Sequence, residues 1–279
     1  MSASFKFIIR FLFSFFCFVF TSLGLMAQGN LLINPKRVVF EGSQRIVQLN
    51  LANTGSDSAK YNITFLQYRM KEDGNFEEIT QPDSLQNFAD KYLRIFPRSV
   101  VLGPNEAQVV KVQLTRTNLL QPGEYRSHLY FRAVPDEKPL GEIKKDTSKT
   151  ISVKLIPIFG ISIPIIIRSG ESTAKVNITN LSYQLLEGNI PQLKLQFNRT
   201  GNMSVYGDLT VNHISPKGIS TQVGTAKGVS VYTPNLKRKF ILNLEKNKVN
   251  FSEGKLEVIY TTQSDAKSEL ITKSVFQLN

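Results

Sequence analysis

The chain has 279 residues, with 34 Lys and Arg against 22 Asp and Glu, a formal net charge of +12, one cysteine and no tryptophan. The basic excess suits an acidic partner or an anionic surface, but it is spread along the chain and forms no dense Lys/Arg block, which argues against a nucleic-acid site. Because the cysteine is Cys17, near the N-terminus, the rest of the chain has no thiol for a disulfide, a Cys-ligated metal or a nucleophile, and its stability has to come from apolar burial.

Residues 5–25 contain Lys6 and Arg10, then a phenylalanine-rich apolar run, then Leu25-Met26-Ala27 with a small residue at a cleavage position. This layout predicts a secretory signal peptide over residues 1–27 and a mature chain that starts near Gln28. Removing Lys6 and Arg10 brings the formal charge to +10. No second apolar stretch is long enough to span a membrane. About 250 residues remain, enough for two domains of ordinary size.

From Leu31 onward the sequence consists of short, β-branched, alternating runs separated by turn signals, as in "RIVQLNLANTGSDSAKYNITFLQY". No segment has a helical apolar period, so the fold class is all-β. Two stretches echo each other: "LNLANTG" at residues 49–55 and "LQFNRTG" at residues 195–201 each place a strand before a Thr-Gly turn and a further strand. Two immunoglobulin-like β-sandwich domains fit this pattern, one over residues 28–168 and one over residues 171–279. Between the echoes, "PDEKPLGEIKKDTSKT" at residues 135–150 reads as a solvated loop, and the domain break falls at "RSGES", residues 168–172.

The catalytic inventory is thin. His128 and His213 lie in separate alternating strands with no Cys, His or paired carboxylate at ligand spacing, so both read as ordinary strand residues. There is no Gly-x-Ser-x-Gly elbow, no phosphate-binding glycine loop and no acidic metal cluster, and Glu77 and Glu78 read as loop surface. The sequence therefore predicts no enzyme, no metal, no cofactor and no small-molecule substrate.

The most unusual segment is "ISVKLIPIFGISIPIIIRSG", residues 151–170. Counting by twos from Ile151 gives Val153, Leu155, Pro157, Phe159, Ile161, Ile163, Ile165 and Ile167, one apolar row on a pleated strand. Pro157 and Pro164 place parts of it at a sheet edge or a bulge, since proline cannot donate to a ladder. Such a strand would span roughly 50 Å, at about 3.3 Å per residue, which is more than one small sandwich needs. An apolar edge of that length is a liability unless something pairs with it.

Three further stretches accompany this strand in a set order: "NPKRVVFEGSQRIVQLNLAN" at residues 34–53, "FPRSVVLGPNEAQVVKVQL" at residues 96–114, and "LQPGEYRSHLYFRAVP" at residues 120–135. Together they resemble the PapD-like periplasmic chaperones of pilus subunits, with the first stretch similar to that family's opening hairpin. The resemblance covers most of residues 31–168, while the second domain matches only in strand pattern. It implies two immunoglobulin-like domains set in an L, and export to the periplasm of a Gram-negative bacterium. The implied partners are pilin-like subunits that lack a strand and an outer-membrane usher.

In this family the chaperone lends its last domain-one strand to the subunit. Carried over by aligning on Arg168, the lent side chains are Ile151, Val153, Leu155, Phe159 and Ile161. The resemblance also implies that Arg37 anchors the subunit's C-terminal carboxylate. The second anchoring position, a lysine in the family, falls here on Pro164. Glu124 and Arg168 match the family's interdomain bridge, whose third member, in domain two, has no identifiable counterpart. From the residues alone the alternative is an exported, two-domain structural or adhesive surface protein that uses the same edge for self-assembly.

Overall fold

The computed structural model describes residues 31–135, 158–246, 248–263 and 268–278. The predicted signal peptide, most of the predicted loop over residues 135–150, and Ile151, Val153, Leu155 and Pro157 lie outside the described residues.

Alternation of apolar and polar residues produces strands throughout. In the N-terminal half these are β1 (Leu31–Asn34), β2 (Val38–Phe40), β3 (Ile46–Asn53), β4 (Ala59–Leu66), β5 (Tyr68–Met70), β6 (Phe76–Glu78), β7 (Leu93–Phe96), β8 (Ser99–Leu102), β9 (Ala107–Leu114), β10 (Gly123–Val134) and β11 (Gly160–Ser169). One sheet has the order β1-β3-β9-β7 and the facing sheet β2-β11-β10-β4-β8, with β5 and β6 forming a separate hairpin. The inward rows pack into one core that includes Phe40, Leu49, Leu102, Val112, Phe131 and Ile165. Burial of each such side chain is worth about 1.5–3 kcal/mol.

The opening stretch, read from sequence as a single hairpin, is divided between the two sheets. β1 pairs antiparallel with β3, whereas β2 crosses over and pairs parallel with β11 through Val38, Val39 and Phe40. Pro35, between the two, interrupts the donor pattern, and Val38 and Phe40 turn their side chains into the core. Glu77 and Glu78 are likewise on a strand, β6, and Glu77 lies within ion-pair distance of Arg69 and Lys71.

The C-terminal half contains β12 (Lys175–Leu186), β13 (Ile190–Thr200), β14 (Val205–Ile214), β15 (Ser220–Val231), β16 (Lys237–Asn243), β17 (Lys255–Thr262) and β18 (Leu270–Gln277). Their sheets, β12-β13-β16 and β15-β14-β17-β18, enclose a second core around Phe197, Leu209, Val258 and Tyr260. Among the described residues there is no α-helix, only two short 3-10 turns. The echoed Thr-Gly motifs occupy equivalent places: β3 and β13 each end there, and the chain then crosses to the opposite sheet as β4 or β14. Gly201 is required at its turn, because its φ is +85° and a Cβ would sit 2.3 Å from the Thr173 carbonyl oxygen.

β11 pairs with β10 along its whole length, and its inward row passes from the core to the surface. Ile163, Ile165 and Ile167 are buried, Ile161 is 36% exposed and Phe159 46% exposed. Ile165→Ala is therefore expected to destabilise the N-terminal sandwich by about 2–5 kcal/mol. The same change at Ile161 should cost less than about 1 kcal/mol. Urea unfolding of the two variants beside the parent protein measures the difference.

Candidate functional site

The first part of the site is the free edge of β11. On one side β10 covers residues 160–169, while on the other β2 covers only Ile165, Ile166 and Ile167. The N–H of Ala133 donates to the carbonyl of Phe159 at 2.9 Å, which carries the β10 ladder one residue beyond the strand. Alternation then directs the backbone groups of residues 159, 161 and 163 toward β10 and those of residues 160, 162 and 164 toward the other edge. Pro164 therefore costs the β10 ladder nothing, because its missing N–H falls on the edge side, as the sequence predicted for a proline in this strand.

Along this open stretch, the large side chains before Ile163 stay outside the core. Ile158 is 45% exposed, in line with Phe159 and Ile161. On the opposite face the Tyr130 ring lies across Gly160, where a Cβ would approach ring atoms to 2.3 Å. An aromatic ring covering a strand glycine shields the backbone and fixes the local register. The strand is thus held firmly from the β10 side and left unpaired, among the described residues, on the other.

The second part is a cation-rich cleft between the sandwiches. The β10–β11 register sets Glu124 opposite Arg168, Arg126 opposite Ile166 and His128 opposite Pro164. Glu124, Arg126 and His128 alternate with the core-facing Tyr125 and Leu129, so their side chains leave the first core on the face toward domain two. Glu124 is fully enclosed. It forms an ion pair with Arg126, lies 3.6 Å from Arg168 Nε, and accepts hydrogen bonds from the Ser204 backbone N–H at 3.0 Å and the Ser204 hydroxyl at 2.6 Å. Arg126 Nη2 also donates to Ser204 Oγ at 2.8 Å, and Arg168 Nη2 donates to the Ser204 carbonyl at 3.3 Å.

Two more cation contacts line this cleft. The Arg37 guanidinium lies 4.2 Å from the centre of the Tyr206 ring, and that of Arg126 lies 3.1 Å from the centre of Tyr232. Burial would raise the Glu124 carboxyl, but Arg126, the Ser204 hydroxyl and Arg168 overcome it and hold the group at about 2. Arg37 is pushed below the usual guanidinium value, first by burial and then by Arg126 and Arg168. One enclosed carboxylate thus faces three guanidiniums, and among the described residues Arg126 Nε and Nη1 have no hydrogen-bond partner.

A third feature braces the cleft. The β5–β6 hairpin reaches domain two: Lys239 N–H donates to the Glu72 carbonyl at 2.6 Å and Asn235 Nδ2 to the Met70 carbonyl at 2.6 Å. Gly74 suits the hairpin turn because its φ of +88° lies in the left-handed region that favours glycine, and the Arg238 guanidinium packs beside it. Phe76 packs on Tyr232, with ring centres 5.5 Å apart, and Tyr68 meets His128 edge-on at 4.8 Å.

The structure thus brings Glu124, Arg168 and Arg37 together in one cleft and places Phe159 and Ile161 on the free edge. Sequence reasoning missed Arg126, although its even spacing from Glu124 on an alternating strand was a readable signal. Ser204, Tyr206 and Tyr232 had no such signal, because nothing in a strand pattern tells which residues of one sandwich face another. His128 and His213 are both buried, and His213 Nε2 lies 2.9 Å from the Glu253 carbonyl.

No protein-family model and no curated protein sequence matches this chain. Solved structures similar to it over most of its length include chaperones, one of them from the Csu pili. The YadV chaperone is 12% identical with a TM-score of 0.46, covering 90% of this chain and 100% of its own. The chaperone–tip adhesion subunit complex CsuC–CsuE of Acinetobacter baumannii is 15% identical with a TM-score of 0.45, covering 88% and 99%. The CupB2 chaperone of Pseudomonas aeruginosa is 15% identical with a TM-score of 0.42, covering 88% and 99%.

His128 and Glu124 make stability depend on pH. Burial, reinforced by Arg126, lowers His128 to about 3 in the folded protein, so between pH 6.5 and 3 the unfolded chain binds a proton that the folded chain does not. Stability therefore falls as pH drops below about 6.5, by on the order of 1–2 kcal/mol at pH 5. Glu124 adds a further loss as pH falls from its ordinary 4.5 toward 2. Chemical denaturation at pH 7 and pH 5 should show His128→Phe losing clearly less stability over that interval than the parent.

Proposed function

We propose that this protein is an exported, periplasmic chaperone of the PapD-like type, which holds pilin-like subunits by lending them a strand. The observation that carries the reading is the β11 edge: among the described residues, 160–164 are unpaired on one side, and Phe159 and Ile161 lie in the same row as the core residues Ile163 and Ile165. The sequence continues that row through Leu155, Val153 and Ile151. A subunit lacking one strand of its own sandwich would receive these side chains in its open groove and pair its backbone along the edge.

The magnitudes are consistent with a firm but releasable complex. Five apolar side chains at about 1.5–3 kcal/mol each stand against an association cost of about 4–15 kcal/mol. The cleft supplies the polar end of the contact. Arg37, half-buried at the rim, is the anchor for the subunit's terminal carboxylate, and the lent strand itself has Pro164 at the second anchoring position. Glu124, Arg168 and Ser204 hold the two domains around this anion site. Delivery to an outer-membrane usher completes the reading, and no chemical step is assigned to the chain.

Two variants co-expressed with a pilin-like subunit that the parent protein captures test this reading. Phe159→Asp with Ile161→Asp should shift the melting temperature of the free protein by no more than a few degrees and abolish subunit capture, since buried unpaired carboxylates cost several kcal/mol. Arg37→Ala should leave the fold intact and weaken capture by about 10- to 100-fold, the loss of one or two charge-assisted hydrogen bonds. Unfolding of the first variant, or undiminished capture by either, would remove the lent strand or the anchor from the assignment.

A further inference from the structure

The outer face of the β12-β13-β16 sheet stands apart from the edge and the cleft and from any role assigned to them. Its inward row, which includes Leu193, Leu195 and Phe197, belongs to the second core, so the alternate residues point outward. Strand register places these outward residues in rows across the three strands: Gln184–Gln192–Asn243, Ser182–Lys194–Ile241, Thr179–Gln196–Lys239 and Asn177–Asn198–Lys237, with Lys175 opposite Thr200 beyond them. Four of these residues are lysines and none is a carboxylate. Among the described residues, the one carboxylate within ion-pair distance of these lysines is Glu72, 3.8 Å from Lys239.

The amides on this face are ordered by one another. Gln184 Nε2 donates to Gln192 Oε1 at 2.8 Å, and Gln192 Nε2 donates to Asn243 Oδ1 at 2.8 Å. Asn198 Nδ2 donates to Asn177 Oδ1 at 2.9 Å and to Thr179 Oγ1 at 2.8 Å. In the Gln184–Gln192–Asn243 chain Gln184 engages one N–H, Gln192 one N–H and one carbonyl lone pair, and Asn243 one carbonyl lone pair, which leaves further donor and acceptor capacity on this face. The result is a preordered strip of hydrogen-bonding groups about 25 Å long and 10 Å wide, from strand rise and spacing, studded with positive charge.

The chemistry of the strip selects among ligands. A protein-binding surface is centred on aromatic or apolar residues and Arg and is depleted in Lys, whereas this face has no aromatic side chain and no arginine. A face that lies on a membrane buries an apolar band, and here the exposed apolar residues are Ile241 within the strip and Leu186 and Ile190 at its end. Paired amides and hydroxyls beside spaced lysines match a ligand that combines many hydroxyls with repeated negative charge. We propose that this face binds an extended acidic polysaccharide, with the lysines meeting its carboxylates and the amide rows its hydroxyls.

Binding of the full-length mature chain to polygalacturonate, dextran, polyglutamate and phosphatidylglycerol vesicles, at about 0.15 M salt, tests this. Polygalacturonate should bind, dextran should not, and polyglutamate and the vesicles should bind at least tenfold more weakly. Lys194→Gln with Lys237→Gln should weaken polygalacturonate binding at least tenfold, while the same change at Lys60 and Lys111, exposed on domain one, should alter it less than twofold. Gln192→Val with Asn198→Val, which leaves the charge unchanged, should weaken polygalacturonate at least fivefold and leave polyglutamate unaffected. The proposal is overturned if polyglutamate or the vesicles bind as well as polygalacturonate, if the Lys60/Lys111 variant loses as much as the Lys194/Lys237 variant, or if the amide variant, with its melting temperature retained, binds like the parent.

Discussion

The arrangement of the two sandwiches depends on one enclosed carboxylate. Glu124 stands where β10 and β11 present charged residues to the second domain, and it meets Arg126, Arg168 and Ser204 at once. A lone carboxylate in that position would be costly to bury, and so would the Arg126 guanidinium beside it; each is tolerated because the other is there. Ser204 is the connecting group, since it donates to Glu124 while its hydroxyl accepts from Arg126. Loss of the carboxylate would strand Arg126 beside two other guanidiniums, Arg37 and Arg168, with the exposed Glu41, among the described residues, the one carboxylate left within ion-pair distance of Arg168. The same arrangement leaves three cations around one acid in the cleft.

β11 serves two ends with one apolar row. Its second half is core: Ile163, Ile165 and Ile167 face the opposite sheet, and β2 closes the outer edge beside the last two. Its first part keeps the chemistry of the core without the enclosure. Natural proteins usually blunt such an edge with charge, a bulge or a covering loop, and here Pro164 and the ring of Tyr130 over Gly160 limit how the edge can pair without making it polar. Under the proposed function this is the compromise expected of a strand whose apolar side chains enter another chain's groove.

Much of the fold was legible because alternation is a local property. The all-β class, the paired Thr-Gly motifs as equivalent sheet crossings, and the edge position of Pro164 follow from period and turn chemistry in short windows. Glu124 and Arg168 came from motif likeness and proved to be direct cross-strand partners. The division of the opening stretch between two sheets was not legible, since β1 and β2 each alternate normally and their pairing is decided by distant strands. Ser204, Tyr206, Tyr232 and the reach of the β5–β6 hairpin belong to the packing of one sandwich on the other, which leaves no periodic trace. Arg126 was hidden differently: a charged residue on a strand reads as solvated surface until the neighbouring domain covers it.

The brevity of β2 has a geometric consequence of its own. β2 runs parallel to β11 and begins at Val38, opposite Ile165, so Arg37 stands at the point where the open edge starts. A guest strand laid on that edge in the same direction would lie end to end with β2, and its terminal carboxylate would abut Arg37. β2 would then act as a buttress that sets the guest's register from its last residue, so that variation in guest length is absorbed at the far end, away from the cleft.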